Sequence, residues 1–133
     1  MRCKFVIALL LASLLSLCAT QSYEKAFVVE VIDGDTIRIE SGEKVRLLGI
    51  NAPEKGQKFY GDAKKRLEEL VMGKEVLMEK DAKNRDKYGR LLRYVYVNGT
   101  FVNLVMVKEG FAYAYLTESL KYGEDLRKAE EEA

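Results

Sequence analysis

The chain has 133 residues, 22 of them Lys or Arg and 21 Asp or Glu, which predicts one small globular domain with flanking segments rather than a multidomain enzyme or a histone-like polycation. Ten glycines, a single proline and no low-complexity run argue against collagen-like and disordered chains. Histidine is absent, which excludes His-paired serine or cysteine nucleophiles, His-bearing zinc sites and histidine acid/base pairs, so carboxylates, Arg, Lys and Tyr must carry any catalysis.

In chain order, Arg2 and Lys4 precede an apolar run over residues 5–17 that only Ser13 and Ser16 interrupt, and Cys18-Ala19-Thr20-Gln21-Ser22 then turns small and polar. This is the layout of a secretory signal, and the run is shorter than the about 20 apolar residues of a spanning helix. Leu15-Ser16-Leu17-Cys18 also resembles a bacterial lipobox, with Leu17 where that pattern wants Gly, Ala or Ser. Residues 1–22 are therefore expected to be a signal peptide or a lipoprotein-type anchor and residues 23–133 the folded domain, exported and then secreted or attached to the outer face of the cell membrane. Both cysteines, Cys3 and Cys18, lie in the leading segment, so the folded domain must be stable without an internal disulfide. Without that segment the net charge is −1, and affinity for nucleic acid must come from local clustering.

Phe27, Val29 and Val31 alternate with Val28, Glu30 and Ile32 before Asp33-Gly34, the pattern of a strand entering a tight turn. Residues 36–39 make the returning strand, and Ser41-Gly42-Glu43 turns the chain into a third strand over residues 44–50. Beyond Asn51-Ala52-Pro53 a loop rich in Gly and Lys leads to a helix in which Tyr60, Ala63, Leu67, Leu70 and Val71 recur at three and four residues, with Gly73 closing it. Residues 75–80 and 91–97 read as the fourth and fifth strands around a polar segment. Val102, Val105 and Met106 form a short helical face, residues 111–115 are extended or irregular, and residues 123–132 form a charged terminal helix. The prediction is a mainly β chain with α: an OB-fold five-stranded barrel with about three helices.

Three islands offer chemistry. Asp33-Gly34-Asp35-Thr36 puts two carboxylates in a turn, where hard oxygen ligands suit Ca²⁺ or Mg²⁺, although Asp-Gly is also simply what a hairpin turn favours. The stretch from Arg46 to Glu54 places one Arg on a strand and then an oxygen donor, a rigid turn and an acid. Asp86-Lys87-Tyr88-Gly89-Arg90 is a basic loop, a pattern also common on plain solvated surface.

Together, Ile32-Asp33-Gly34-Asp35-Thr36, Arg46-Leu47-Leu48 running to Pro53-Glu54, and Asp86-Lys87-Tyr88-Gly89-Arg90 resemble the staphylococcal nuclease family in order and spacing. The resemblance extends through Val102-Asn103, Gly110 and Leu126-Arg127-Lys128. It implies a Ca²⁺-dependent phosphodiesterase acting on DNA and RNA, preferably single-stranded, leaving 3′-phosphate ends, and a monomer is expected. By position it implies that Asp35, Asn51 and the Ala52 backbone carbonyl hold the metal with Asp33 behind them. Glu54 is the implied general base, and Arg46 and Arg90 the implied phosphate clamps. Lys87 and Tyr88 would hold a neighbouring phosphate, and Tyr113 or Tyr115 would offer a ring to a base or else sit on the core or barrel rim. Six cations between Lys80 and Arg93 against Asp81 and Asp86 give a local net of +4 to guide a phosphate backbone.

Two departures from the family pattern carry expectations of their own. Asn51 stands where an aspartate is common, which predicts weaker metal binding. The family's last helix usually continues into a tryptophan-containing tail, and Trp is absent here, so the terminal helix, with a net charge of −3 over residues 123–133, is expected to dock less firmly. The competing expectation is a non-catalytic OB-fold module that binds single strands or a protein partner.

Overall fold

The structure, a computed structural model, describes residues 22–133, so the expected export segment lies outside the described residues. Among the described residues no helix is long and apolar enough to cross a membrane. The elements in chain order are β1 (Tyr23–Asp33), β2 (Thr36–Ile39), β3 (Lys44–Leu47), β4 (Ile50–Asn51), α1 (Tyr60–Val71), β5 (Glu75–Glu79), β6 (Leu91–Val97), β7 (Thr100–Phe101), α2 (Val102–Lys108), β8 (Tyr113–Ala114) and α3 (Gly123–Glu132).

Five of the strands close into a barrel. β1, β2 and β3 form an antiparallel meander, the first half of β1 pairs with β5, and β5 pairs with β6. Parallel pairing of β3 with β6, Val45 opposite Leu91 and Leu47 opposite Arg93, completes the ring. Full closure leaves no long edge exposed, and with α1, α2 and α3 this is the OB-fold architecture expected from the order of strands and helices.

β1 serves two neighbours because it is irregular. Its register against β2 shifts between Val28 and Glu30 and again between Val31 and Asp33, and such bulges bend a strand and change which side faces inward. The buried side chains are accordingly Ala26, Val28 and Val31, whereas Phe27 and Val29 lie largely in solvent. Strict alternation through Phe27, Val29 and Val31 therefore reaches the inner face only at Val31.

The core lies between the barrel and the helices. Val28, Ile37, Val45, Leu47, Val76, Met78 and Val95 meet Ala63, Leu67 and Val71 of α1, Val102, Met106 and Val107 of α2, and Leu126 of α3. Burying these side chains supplies the main favourable term in folding. The expected third strand over residues 44–50 is two strands, because Gly49 adopts φ 76° and turns the chain between β3 and β4. The segment after α2, expected to be extended or irregular, supplies β8, which pairs with β4.

α3 packs against the barrel through buried side chains. Leu126 is fully buried and Ala129 nearly so, and a Cβ on Gly49 would stand 2.5 Å from Leu126 Cδ1. The terminal helix thus lies directly on the backbone turn that leads into the candidate site. Glu130 adds a tie by accepting from the Ala114 amide at 3.1 Å.

Candidate active site

Asp33 ends β1, and Asp35 follows Gly34 in the turn to β2. A Cβ on Gly34 would stand 2.8 Å from the Cβ atoms of both Ala52 and Ala63, so a bare backbone is what lets this turn lie against the loop after β4 and the start of α1. Asp35 is only 7% exposed, and both carboxylate oxygens are held: Oδ1 accepts from the Thr36 hydroxyl and Oδ2 from the Ala52 amide, each at 2.9 Å. Asp33 Oδ1 accepts from the Tyr60 hydroxyl at 2.9 Å. That hydrogen bond, with burial, pushes the Tyr60 phenol up and keeps it a donor.

Arg46 projects from β3 into the same cleft. Its Nη1 donates to the carbonyls of Leu47 and Ile50, both at 2.7 Å, while Nη2 donates to Asn51 Oδ1 at 3.2 Å and lies 3.4 Å from Asp35 Oδ2. Burial pulls the guanidinium below its ordinary value, Asp35 pulls it back up, and the nearby Arg90 pushes it down again. Arginine starts so far above neutrality that Arg46 remains a cation. Asn51 in turn donates from Nδ2 to the Tyr113 hydroxyl at 2.7 Å.

Glu54 stands at the open side. Its amide donates to Gln57 Oε1 at 2.7 Å and its carbonyl accepts from the Gln57 amide at 2.8 Å, so the backbone of the loop is fixed. Among the described residues its carboxylate makes no hydrogen bond or ion pair, and the side chain is exposed to solvent. Arg90, just before β6, donates from Nε to Asp86 Oδ2 at 2.7 Å and stacks over the Tyr88 ring at 5.3 Å. Burial would raise the Asp86 carboxyl, but the Arg90 bond and the amides of Arg90 and Tyr88 outweigh it and hold the group below its ordinary value. Among the described residues the two Nη groups of Arg90 make no hydrogen bond, which leaves the outer fork for a ligand.

Asp33, Asp35, Arg46, Asn51, Ala52, Glu54 and Arg90 line one depression, together with Pro53 and Lys55. An adjoining groove shares Arg46 and Arg90 and carries Lys83, Lys87, Tyr88 and Tyr115. Tyr88 is 71% exposed, with Lys87 Nζ 5.1 Å from its ring. Tyr113 and Tyr115 are both about half exposed, at the rim and not in the core; only Tyr115 lines the groove.

The donors in the depression are oxygen atoms, the kind a hard divalent cation prefers. The charge count is low: Asn51 is neutral, Asp35 is countered by Arg46, and among the described residues no three acidic side chains converge closely enough to hold an ion together. The set therefore fits Ca²⁺ in donor type and predicts modest affinity.

The basic segment is less positive in space than in sequence. Arg93 is 3% exposed and pairs with Glu24 at 2.7 Å, Arg85 pairs with Glu43, and Arg90 with Asp86. Lys80, Lys83 and Lys87 remain as the cations of the expected +4 patch with no carboxylate partner among the described residues.

Sequence reasoning missed several residues that hold the site. Tyr60 was expected only on the core face of its helix, yet its hydroxyl fixes Asp33. Asn103, fully buried, accepts from the Val95 amide at 2.9 Å and donates to the Leu48 carbonyl at 2.9 Å, tying α2 to the strands that carry the cleft. An asparagine inside the apolar run Val102-Asn103-Leu104 was the available signal, since buried amides are kept only where they are paired. Glu79, and Asp81, which the sequence showed only as a charge in the basic segment, gather Tyr94, Tyr96, Lys121 and Tyr122 over a second apolar cluster built on Leu48, Leu92 and Tyr94.

The sequence model described as "Staphylococcal nuclease homologue" matches residues 44–133. The chain is 41% identical over 111 residues to an uncharacterized endonuclease of Haemophilus influenzae, covering 80% of this chain and 61% of that protein. It is 45% identical over 114 residues to endonuclease YncB of Bacillus subtilis, covering 77% and 54%. It is also 35% identical over 120 residues to the thermonuclease of Staphylococcus intermedius, covering 83% and 71%. The chain thus spans between half and two thirds of the Haemophilus and Bacillus relatives.

Proposed function

The chain belongs to the staphylococcal nuclease family, and we propose that it is an exported, Ca²⁺-dependent nuclease that hydrolyses phosphodiester bonds of DNA and RNA, preferably single-stranded, and leaves 3′-phosphate ends. The observation that carries this reading is the convergence of a buried carboxylate, an unengaged carboxylate and two guanidinium groups in one open depression: Asp35, Glu54, Arg46 and Arg90. The names of the relatives, endonuclease and thermonuclease, support the same class of reaction.

Asp35, Asn51 and the Ala52 carbonyl are the groups proposed to hold Ca²⁺, with Asp33 behind them; an ion held there would supply positive charge to offset the negative charge that grows on the phosphate. The rest of the chemistry belongs to the chain. Arg46, pinned by three acceptors, and Arg90, with its free fork, bind phosphate oxygens and gain strength as negative charge grows on them. Glu54 takes a proton from the water that attacks phosphorus, the bond from phosphorus to the 5′-oxygen breaks, and that oxygen leaves protonated by solvent. Lys87 and Tyr88 steady the next phosphate, and Tyr115 presents a ring face to a base. The proposed export rests on the basic, apolar and small-residue order of residues 1–22.

Incubation of the purified chain with end-labelled single-stranded DNA, in Ca²⁺ and in excess chelator, tests the proposal. Cleavage in Ca²⁺ that chelation stops, with 3′-phosphate products, is the expected result. Full turnover in excess chelator would overturn the metal requirement, and binding without cleavage in Ca²⁺ would favour a non-catalytic module.

A further inference from the structure

Tyr113 and Asn51 stand opposite one another in the short ladder between β4 and β8, and Asn51 Nδ2 donates to the Tyr113 hydroxyl at 2.7 Å. An amide side chain has two unlike ends, and a hydrogen bond to one decides where the other points. With Nδ2 on the phenol, Oδ1 is the end that meets Arg46 Nη2 at 3.2 Å. The same guanidinium is held by the carbonyls of Leu47 and Ile50 and faces Asp35. Tyr113 is half exposed and does not line the groove that Tyr88 and Tyr115 share.

We propose that Tyr113 is a positioning residue: its hydroxyl, by accepting from Asn51, holds the amide oxygen turned toward Arg46 and the cleft. A phenol suits the place because it is neutral and can accept, so it adds no charge beside a cation site. The contact stands on geometry alone; its consequence for turnover rests on the nuclease reading. The hydrogen bond is exposed, and one of this kind is worth a two- to tenfold effect when lost.

The test uses the full chain as wild type, Tyr113→Phe, Tyr113→Leu, Asn51→Ala and the double variant Asn51→Ala with Tyr113→Phe. Single-stranded DNA cleavage in Ca²⁺ is resolved into kcat and KM. The side-chain NH₂ signals of Asn51 are followed by ¹⁵N NMR, where the chain holds four asparagines and Asn51→Ala identifies the pair. Tyr113→Phe is expected to lower kcat two- to tenfold with KM within twofold, to match Tyr113→Leu, and to shift the Asn51 signals and speed their exchange with solvent. In the Asn51→Ala background the same change should shrink to within twofold, because its route is gone. A Phe variant that behaves as wild type while Leu raises KM would overturn the proposal in favour of a base platform. Unchanged Asn51 signals in Tyr113→Phe, or an undiminished loss in the Asn51→Ala background, would overturn it as well. If the wild-type chain cuts nothing, the nuclease reading fails, and the NMR comparison alone decides whether Tyr113 holds Asn51.

Discussion

At the scale of single residues, the electrostatics of the depression turn on position 51. Asn51 keeps an oxygen donor but brings no charge, and its Oδ1 already accepts from Arg46. A carboxylate there would add one negative charge at contact distance, shared between Arg46 and a bound cation, so the gain in Ca²⁺ affinity should be about 1 kcal/mol, or roughly fivefold. Ca²⁺ titrations of cleavage should give half-saturation at lower concentration for Asn51→Asp than for wild type, and at higher concentration for Asn51→Ala. Superimposed curves would show that residue 51 does not touch the metal. Position 51, like Asp35, Arg46, Glu54 and Arg90, was visible in the sequence because each lies within an unbroken motif of neighbours. Tyr60 was not: its place in the helical period is explained by packing, and nothing in the sequence pairs its hydroxyl with Asp33, 27 positions away.

At the scale of elements, the cleft is held open and in register by contacts between segments far apart in the chain. Gly34 and Gly49 are the two points where a turn is pressed against another element, α1 in one case and α3 in the other. The connection from β8 to α3 is clamped to the barrel by Glu79, whose buried carboxylate accepts from Lys121 at 2.7 Å and from the Tyr96 and Tyr122 hydroxyls, each at 2.9 Å. Burial alone would raise this carboxyl, yet the three donors outweigh it and leave it below its ordinary value. A carboxyl lowered by folding contributes stability that is full above its unfolded value and is lost as pH falls through the folded one. Glu79→Gln should therefore cost about 2 kcal/mol at pH 7 and flatten the loss of stability on acidification below about pH 4.3. Urea midpoints at pH 7 and pH 3.5 measure both effects; parallel acid losses in the two proteins would contradict the assignment. The helix over residues 60–71 and the meander were readable because their apolar spacing is regular. The break between β3 and β4 was not, and β8 was foreseen only as extended or irregular chain, since a left-handed glycine and a two-residue ladder leave little periodic trace.

For the whole molecule, sequence windows misjudge surface charge. Lys80 to Arg93 looks strongly basic, but Glu24 neutralises Arg93 from 69 positions away and Glu43 neutralises Arg85 from 42. What remains is a modest set of lysines beside a cleft that two arginines enter. Long-range attraction of nucleic acid should be correspondingly weak, and catalysis should depend on groups inside the depression. The barrel was legible because five strands in this order with one intervening helix have few ways to close. The packing of α3 on the turn at Gly49 was not, because it depends on one glycine and one leucine meeting across the fold. The most direct test of the proposed nuclease reading separates chemistry from binding: single-turnover cleavage of labelled single-stranded DNA in saturating Ca²⁺, alongside its affinity, for wild type and Glu54→Gln. The substitution keeps shape and removes the base, so cleavage should slow about 10²-fold or more while affinity stays within a few-fold. Wild-type rates from Glu54→Gln would contradict the assignment of Glu54 as the base and, with it, the proposed use of the depression.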